Sequence, residues 1–156
     1  MCGILFVSQN NNSITKSNFL SILKSQKWRG PDNTSLKSFN NNKILLGHNR
    51  LSILNKKPRS NQPMMSDDGR FLLIFNGEIY NYKEIIKKYK LKLKTTSDTE
   101  VVLKGYILRG KYILNDLDGM FSFVIYDKEK LSWFCARDRF GIKPLYIYQD
   151  KVKTVI

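Results

Sequence analysis

Cysteine is almost missing from this 156-residue chain, which holds Cys2 and Cys135 and no others. Two thiols make no disulfide framework, and so sparse a count fits a reducing, cytoplasmic setting. Histidine is scarcer still. His48 stands alone, without a second histidine or a paired serine, so neither a metal site nor a Ser-His-Asp triad is expected. No run approaches the roughly 18 apolar residues of a membrane span. The start lacks a basic region followed by a long apolar stretch, so no secretory leader is read there. Acidic residues are few, 13 against 27 Lys and Arg, which leaves a net charge of +14.

That excess of positive charge is the usual footprint of a polyanion partner, but its distribution argues otherwise. Lysine outnumbers arginine 20 to 7 and is spread along the chain. In the lysine-richest stretch, Lys83 to Lys94, the charges alternate with Ile85, Ile86, Tyr89, Leu91 and Leu93, as on the wet face of core elements. Arginine clusters, aromatic stacking motifs and zinc spacings are missing, so specific nucleic-acid binding is not expected. Nor is there a Gly-rich phosphate loop or an acidic cluster to hold ATP and Mg²⁺.

What is present is an ordinary globular composition, 42% hydrophobic and 26% charged, in one domain's worth of chain, residues 1–156. Short apolar strands alternate with helices. Gly3 to Ser8 reads as a strand and Thr15 to Gln26 as a helix, with Phe19, Leu20, Ile22 and Leu23 on one face. Leu36 to Phe39 and Lys43 to Gly47 pair across Asn40-Asn41-Asn42. Phe71 to Phe75 is a buried strand closed by Asn76-Gly77, and Tyr82 to Tyr89 is a short helix. Ser97 or Asp98 caps a longer helix that ends before Gly110. Strands follow at Met120 to Tyr126, Leu131 to Arg137 and Leu145 to Tyr148, with a last one from Lys151. Antiparallel strands with few helices give an α+β layered fold.

Four places carry chemistry. Cys2 follows the start methionine, and removal of Met1 gives one residue both a thiol and a free α-amine that titrates near neutrality, hence a nucleophile with its own base. Arg50, in Gly47-His48-Asn49-Arg50-Leu51-Ser52-Ile53, can clamp a carboxylate with a fork of donors. Asn76-Gly77-Glu78 offers a side-chain amide beside a glycine N–H, the makings of an oxyanion hole. Asp98 sits at a helix start, where it serves as a cap or a ligand. Cys135, inside a strand, reads as a core residue.

In this order the stretches MCGI, RGPD, GHNRLSIL, FNGEIYNY, SDTEVVL, LDGMFSFVIYD and ARDRFGIKPLY run from residue 1 to about 148. Together they resemble the N-terminal glutaminase domain of glutamine-hydrolysing asparagine synthetases, class II glutamine amidotransferases of the N-terminal-nucleophile (Ntn) hydrolases. The resemblance implies a four-layer αββα sandwich of two antiparallel sheets. It implies Cys2 as nucleophile and Asn76 and Gly77 as oxyanion hole. Arg50 and the backbone of Leu51, Ser52, Ile53 and Leu54 would hold the glutamine α-carboxylate, and Glu78 and Asp98 its α-ammonium. The partners implied are glutamine and a synthetase domain or subunit that accepts ammonia, with ATP and Mg²⁺ belonging to that domain and no cofactor to this chain.

Such synthetases continue into a large ATP-using domain, so the domain is expected to be truncated at its C-terminal end. The final segment, Lys151 to Ile156, is then expected to be an exposed sheet edge, and such an edge favours self-association into a homo-oligomer. Two other function classes fit parts of the sequence: a silent glutamine-binding remnant, and a basic nucleic-acid-binding domain. No membrane association is expected.

Overall fold

The computed structural model describes residues 1–52 and 60–156. In chain order the strands are β1 (Gly3–Gln9), β2 (Asn33–Phe39), β3 (Ile44–Arg50), β4 (Met64–Met65), β5 (Phe71–Ile79), β6 (Gly119–Asp127), β7 (Ser132–Arg137), β8 (Tyr148–Gln149) and β9 (Lys153–Val155). The α-helices are α1 (Lys16–Ser25), α2 (Tyr82–Tyr89) and α3 (Asp98–Arg109), joined by short 3₁₀ turns at Lys27–Arg29 and Gly110–Asn115.

The period-2 alternation of each strand decides the layering. Leu5 and Val7 of β1 and Leu45 of β3 pack outward on Phe19 and Leu23 of α1. Phe6, Ile44 and Leu46 point the other way and meet Leu72, Ile74, Val124 and Tyr126 of the second sheet. On that sheet's far side Leu73, Phe75, Phe121, Phe123 and Ile125 pack against Ile85, Val101 and Val102 of the helices. Three apolar seams between four layers make an αββα sandwich. One sheet has the order β2-β3-β1-β9-β8 and the other β4-β5-β6-β7. Every strand pair in both is antiparallel.

Helix starts follow their caps. The Thr15 side chain accepts from Asn18 N–H ahead of α1, and the Ser97 side chain accepts from Thr99 N–H ahead of α3. The buried face of α1 is narrower than its spacing promises, because Ile22 is exposed beside fully buried Phe19 and Leu23.

Three expectations are corrected. Lys151 to Ile156 is no exposed edge: β9 lies inside its sheet, paired to β1 by Val7↔Val155 and to β8 by Tyr148↔Val155. Ile156 exchanges both backbone hydrogen bonds with Phe6, at 2.7 and 2.9 Å. Leu145 to Ile147 is irregular, and only Tyr148–Gln149 is strand there. Asn76-Gly77 closes no strand; β5 runs through it to Ile79, paired with β6 along its whole length.

Candidate active site

Cys2 stands just before β1, half-buried, at the end of the sandwich where the two sheets come together. Its backbone N–H donates to Asn76 Oδ1 at 3.0 Å. Its sulfur lies over the backbone of Leu51, 3.5 Å from the Leu51 N–H donor and 3.8 Å from the Leu51 carbonyl oxygen. Arg29 Nε donates to the Cys2 carbonyl at 3.2 Å. Around Cys2 a cavity of about 200 Å³ is lined by Arg50, Leu51, Asn76, Gly77, Glu78 and Asp98, with Met1, Ser60, Gln62, Thr99, Met120 and Lys143 among the other residues of its wall. The sequence-predicted residues Cys2, Arg50, Leu51, Asn76, Gly77, Glu78 and Asp98 therefore share one site. Ser52 does not line it; its N–H donates to Asp32 Oδ2 at 2.6 Å. Ile53 and Leu54 lie outside the described residues.

The strand geometry of β5 explains how donors reach this cavity. In an antiparallel ladder, the N–H and C=O of a residue point to one side, and alternate residues point to opposite sides. Phe121, opposite Gly77, spends its N–H on Asp138 Oδ2 at 3.1 Å and its carbonyl on Asp138 N–H at 2.8 Å, away from β5. Gly77 is thus a non-hydrogen-bonded partner, and its N–H turns to the free side of β5 with those of Phe75 and Ile79. Phe75 N–H is taken by Gln62 Oε1 at 2.6 Å, and Ile79 N–H by Asp98 Oδ2 at 3.0 Å. The Gly77 N–H between them is left facing the cavity. Asn76, one residue earlier, turns its Oδ1 to Cys2, and no group among the described residues takes its Nδ2. Two adjacent residues with unspent donors, one backbone and one amide, thus line the cavity that Cys2 also lines. Glycine at 77 is required by close packing, since a Cβ there would lie 2.3 Å from the Met120 carbonyl oxygen and 2.6 Å from Phe121 Cα.

The flanking charges are held by different elements. Arg50 ends β3, is buried, and donates from Nη1 to Asn61 Oδ1 at 2.6 Å. Asp98 opens α3, where burial raises its pKa. The N–H groups of Ile79 and Thr99 oppose that shift, and neighbouring Glu78 adds to it. Glu78 lines the same side and is exposed. His48 is buried between the sheets with Nε2 3.2 Å from the Phe75 carbonyl. Desolvation drives its pKa down to about 3, so it is neutral at physiological pH and no base for this site. Cys135 packs half-buried against the seam between the sheets, and burial pushes its thiol up. Among the described residues no group of three or more His, Cys, Asp or Glu could hold a metal ion, and no helix is long and apolar enough to cross a membrane.

Residues 1–156 match the family model of the glutamine amidotransferase domain. The chain belongs to that family. Among curated relatives, a putative glutamine-hydrolysing asparagine synthetase of Methanocaldococcus jannaschii is 37% identical over 96% of this chain and 32% of its own length. A probable one from Schizosaccharomyces pombe is 43% identical, over 94% and 26%. Asparagine synthetase B of Escherichia coli is 34% identical, over 97% and 27%. The chain thus spans about a quarter to a third of these relatives. In fold it is similar to the glutamine phosphoribosylpyrophosphate amidotransferase of B. subtilis, with a TM-score of 0.72 at 18% identity, over 99% of this chain and 41% of that one.

Sequence reasoning missed Gln62 and Lys143 on the cavity wall, and Arg29 and Asp32 as supports of Cys2 and Ser52 beside it. For the last two a signal existed in RGPD. Gly30 packs so tightly on β3 that a Cβ would meet the Asn49 carbonyl oxygen at 2.3 Å, and this contact delivers Arg29 to Cys2 and Asp32 to Ser52.

Proposed function

We propose that this domain hydrolyses glutamine to glutamate and ammonia, with Cys2 as nucleophile once Met1 is removed. The reading rests on two unspent donors, Asn76 Nδ2 and Gly77 N–H, on residues that share a cavity with a cysteine whose own nitrogen is anchored on Asn76 Oδ1. The Cys2 α-amine takes the thiol proton, directly or through a water. The thiolate attacks the side-chain carbonyl carbon of glutamine, and the oxyanion forms between the two donors. Collapse of that intermediate expels ammonia, which leaves with the proton from the α-ammonium. Water then hydrolyses the glutamyl thioester, giving glutamate and restoring the thiol.

Substrate charge fits the remaining walls. Arg50 takes the α-carboxylate, with Leu51 lining the cavity beside it, and Asp98 and Glu78 take the α-ammonium. The ammonia serves asparagine formation from aspartate in an ATP-dependent synthetase domain, a reading supported by relatives that carry the name glutamine-hydrolysing asparagine synthetase. The test is to incubate the protein, with Met1 shown absent by intact mass, with glutamine and to assay glutamate and ammonia together. Equimolar release that Cys2→Ala abolishes supports the reading; release that survives Cys2→Ala overturns it.

A further inference from the structure

The cavity carries one charged group that the proposed reaction does not yet use. Lys143 lines its wall and is only 7% exposed. Its ammonium is not among the fully buried polar atoms, so it opens toward the cavity and not the core. Yet no hydrogen bond or ion pair holds the Lys143 Nζ among the described residues. The carboxylates Glu78 and Asp98 line the same cavity, and neither pairs with it.

The loop that carries Lys143 is built around a single carboxylate. Asp138 is buried and accepts from the N–H groups of Phe121, Phe140, Ile142 and Lys143, at 3.1, 3.1, 2.9 and 3.0 Å. Burial alone would favour its neutral form, but these donors hold its pKa below the usual carboxylate range, so the clamp is ionised at working pH. One Asp138 oxygen, Oδ2, receives both Phe121 N–H and Lys143 N–H. Phe121 is the strand partner of Gly77. The base of Lys143 is therefore fixed one carboxylate away from the strand that faces the Gly77 donor, on the β6 side of the cavity. Arg50 approaches from the opposite sheet and Asp98 from α3.

We propose that Lys143 is a further electrostatic residue of this site, whose positive charge stabilises the anion formed at Cys2, first the thiolate and then the tetrahedral oxyanion. It takes no part in proton transfer and forms no bond. Its effect comes from the fixed base of the side chain, which keeps a positive charge on the cavity wall before the anion forms. The inference rests on Cys2 as nucleophile, and its test has one arm that needs no turnover.

That arm compares alkylation of Cys2 by neutral iodoacetamide and by anionic iodoacetate, read at the Cys2 peptide so that Cys135 does not contribute. A nearby unpaired ammonium favours the anionic reagent. Lys143→Met and Lys143→Gln are each expected to lower the iodoacetate-to-iodoacetamide rate ratio by about tenfold, and Lys143→Arg to keep it. In the kinetic arm the two neutral variants lower kcat for glutamine by roughly tenfold or more with KM within about twofold, and Lys143→Arg restores kcat. An unchanged ratio in folded Lys143→Met and Lys143→Gln overturns the proposal, and so does a change confined to KM. A protein that shows the ratio change yet hydrolyses no glutamine leaves Lys143 beside Cys2 and refutes the glutaminase reading instead.

Discussion

Replacing Asn76 by aspartate separates the two jobs of this side chain. Its Oδ1 accepts from the Cys2 N–H at 3.0 Å, and in the proposed mechanism its Nδ2 is the amide donor to the oxyanion. Asn76→Asp is nearly isosteric, keeps an oxygen for Cys2, and replaces the donor with a second carboxylate oxygen. One lost oxyanion donor costs about a hundredfold to a thousandfold in kcat, or roughly 2.7 to 4 kcal/mol. The added negative charge faces the developing oxyanion and acts in the same direction, so the loss is expected at the upper end of that range. KM for glutamine is expected to change little, because the amide bonds best to the transition state. Asn76→Ala removes both jobs and is expected to be at least as inactive, with the Cys2 nitrogen released as well. Steady-state glutamate release, with thermal melting to confirm folding, measures all of this. An Asn76→Asp variant that keeps more than a tenth of parental kcat would refute the oxyanion assignment.

Arg50→Ala is expected to raise KM for glutamine by roughly tenfold to a hundredfold, the worth of charge-assisted hydrogen bonds to a carboxylate, with a smaller change in kcat. A change in kcat alone would remove Arg50 from substrate binding. Burial raises the Asp98 pKa, so affinity for the glutamine α-ammonium should fall on acidification while the pH is still above the usual aspartate range. Asp98→Asn is expected to have a high KM at neutral pH and to lose that acid limb; a limb that persists would assign it elsewhere. His48 is depressed to about 3 in the fold against 6.5 unfolded, so its contribution to stability is complete above pH 6.5 and is lost as pH falls towards 3. Urea unfolding at pH 7 and pH 5 should differ by about 2 kcal/mol from this residue, a difference that His48→Gln removes; an equal drop in the variant would contradict it.

Much of this architecture was legible in local sequence because it is written in local chemistry. Thr15 and Ser97 announce their helices by capping, and the apolar runs of β1, β5 and β6 announce strands. Asn76-Gly77 was read as the close of a strand because Asn and Gly are poor strand residues, and continuous pairing with β6 overrides that preference. The place of β9 was illegible for a different reason. Its lysines and shortness resemble an edge, while its insertion between β1 and β8 depends on strands more than a hundred residues apart in the case of β1. The cavity-lining residues Cys2, Arg50, Asn76 and Asp98 were reached through motifs, where residue type and neighbours already suggest the chemistry. Lys143 was missed because a lysine in a basic chain reads as surface. Only the clamp on Asp138, which gathers N–H groups from two segments, draws it inward.

The central claim is that glutamine passes through a covalent bond to Cys2. Rapid acid quench during turnover, followed by peptide mapping, tests this directly. The account predicts a glutamyl thioester on the sulfur of Cys2 in chains that lack Met1, and none on Cys135. Steady turnover with no acyl group on Cys2, or with Met1 still attached to every active chain, would contradict it.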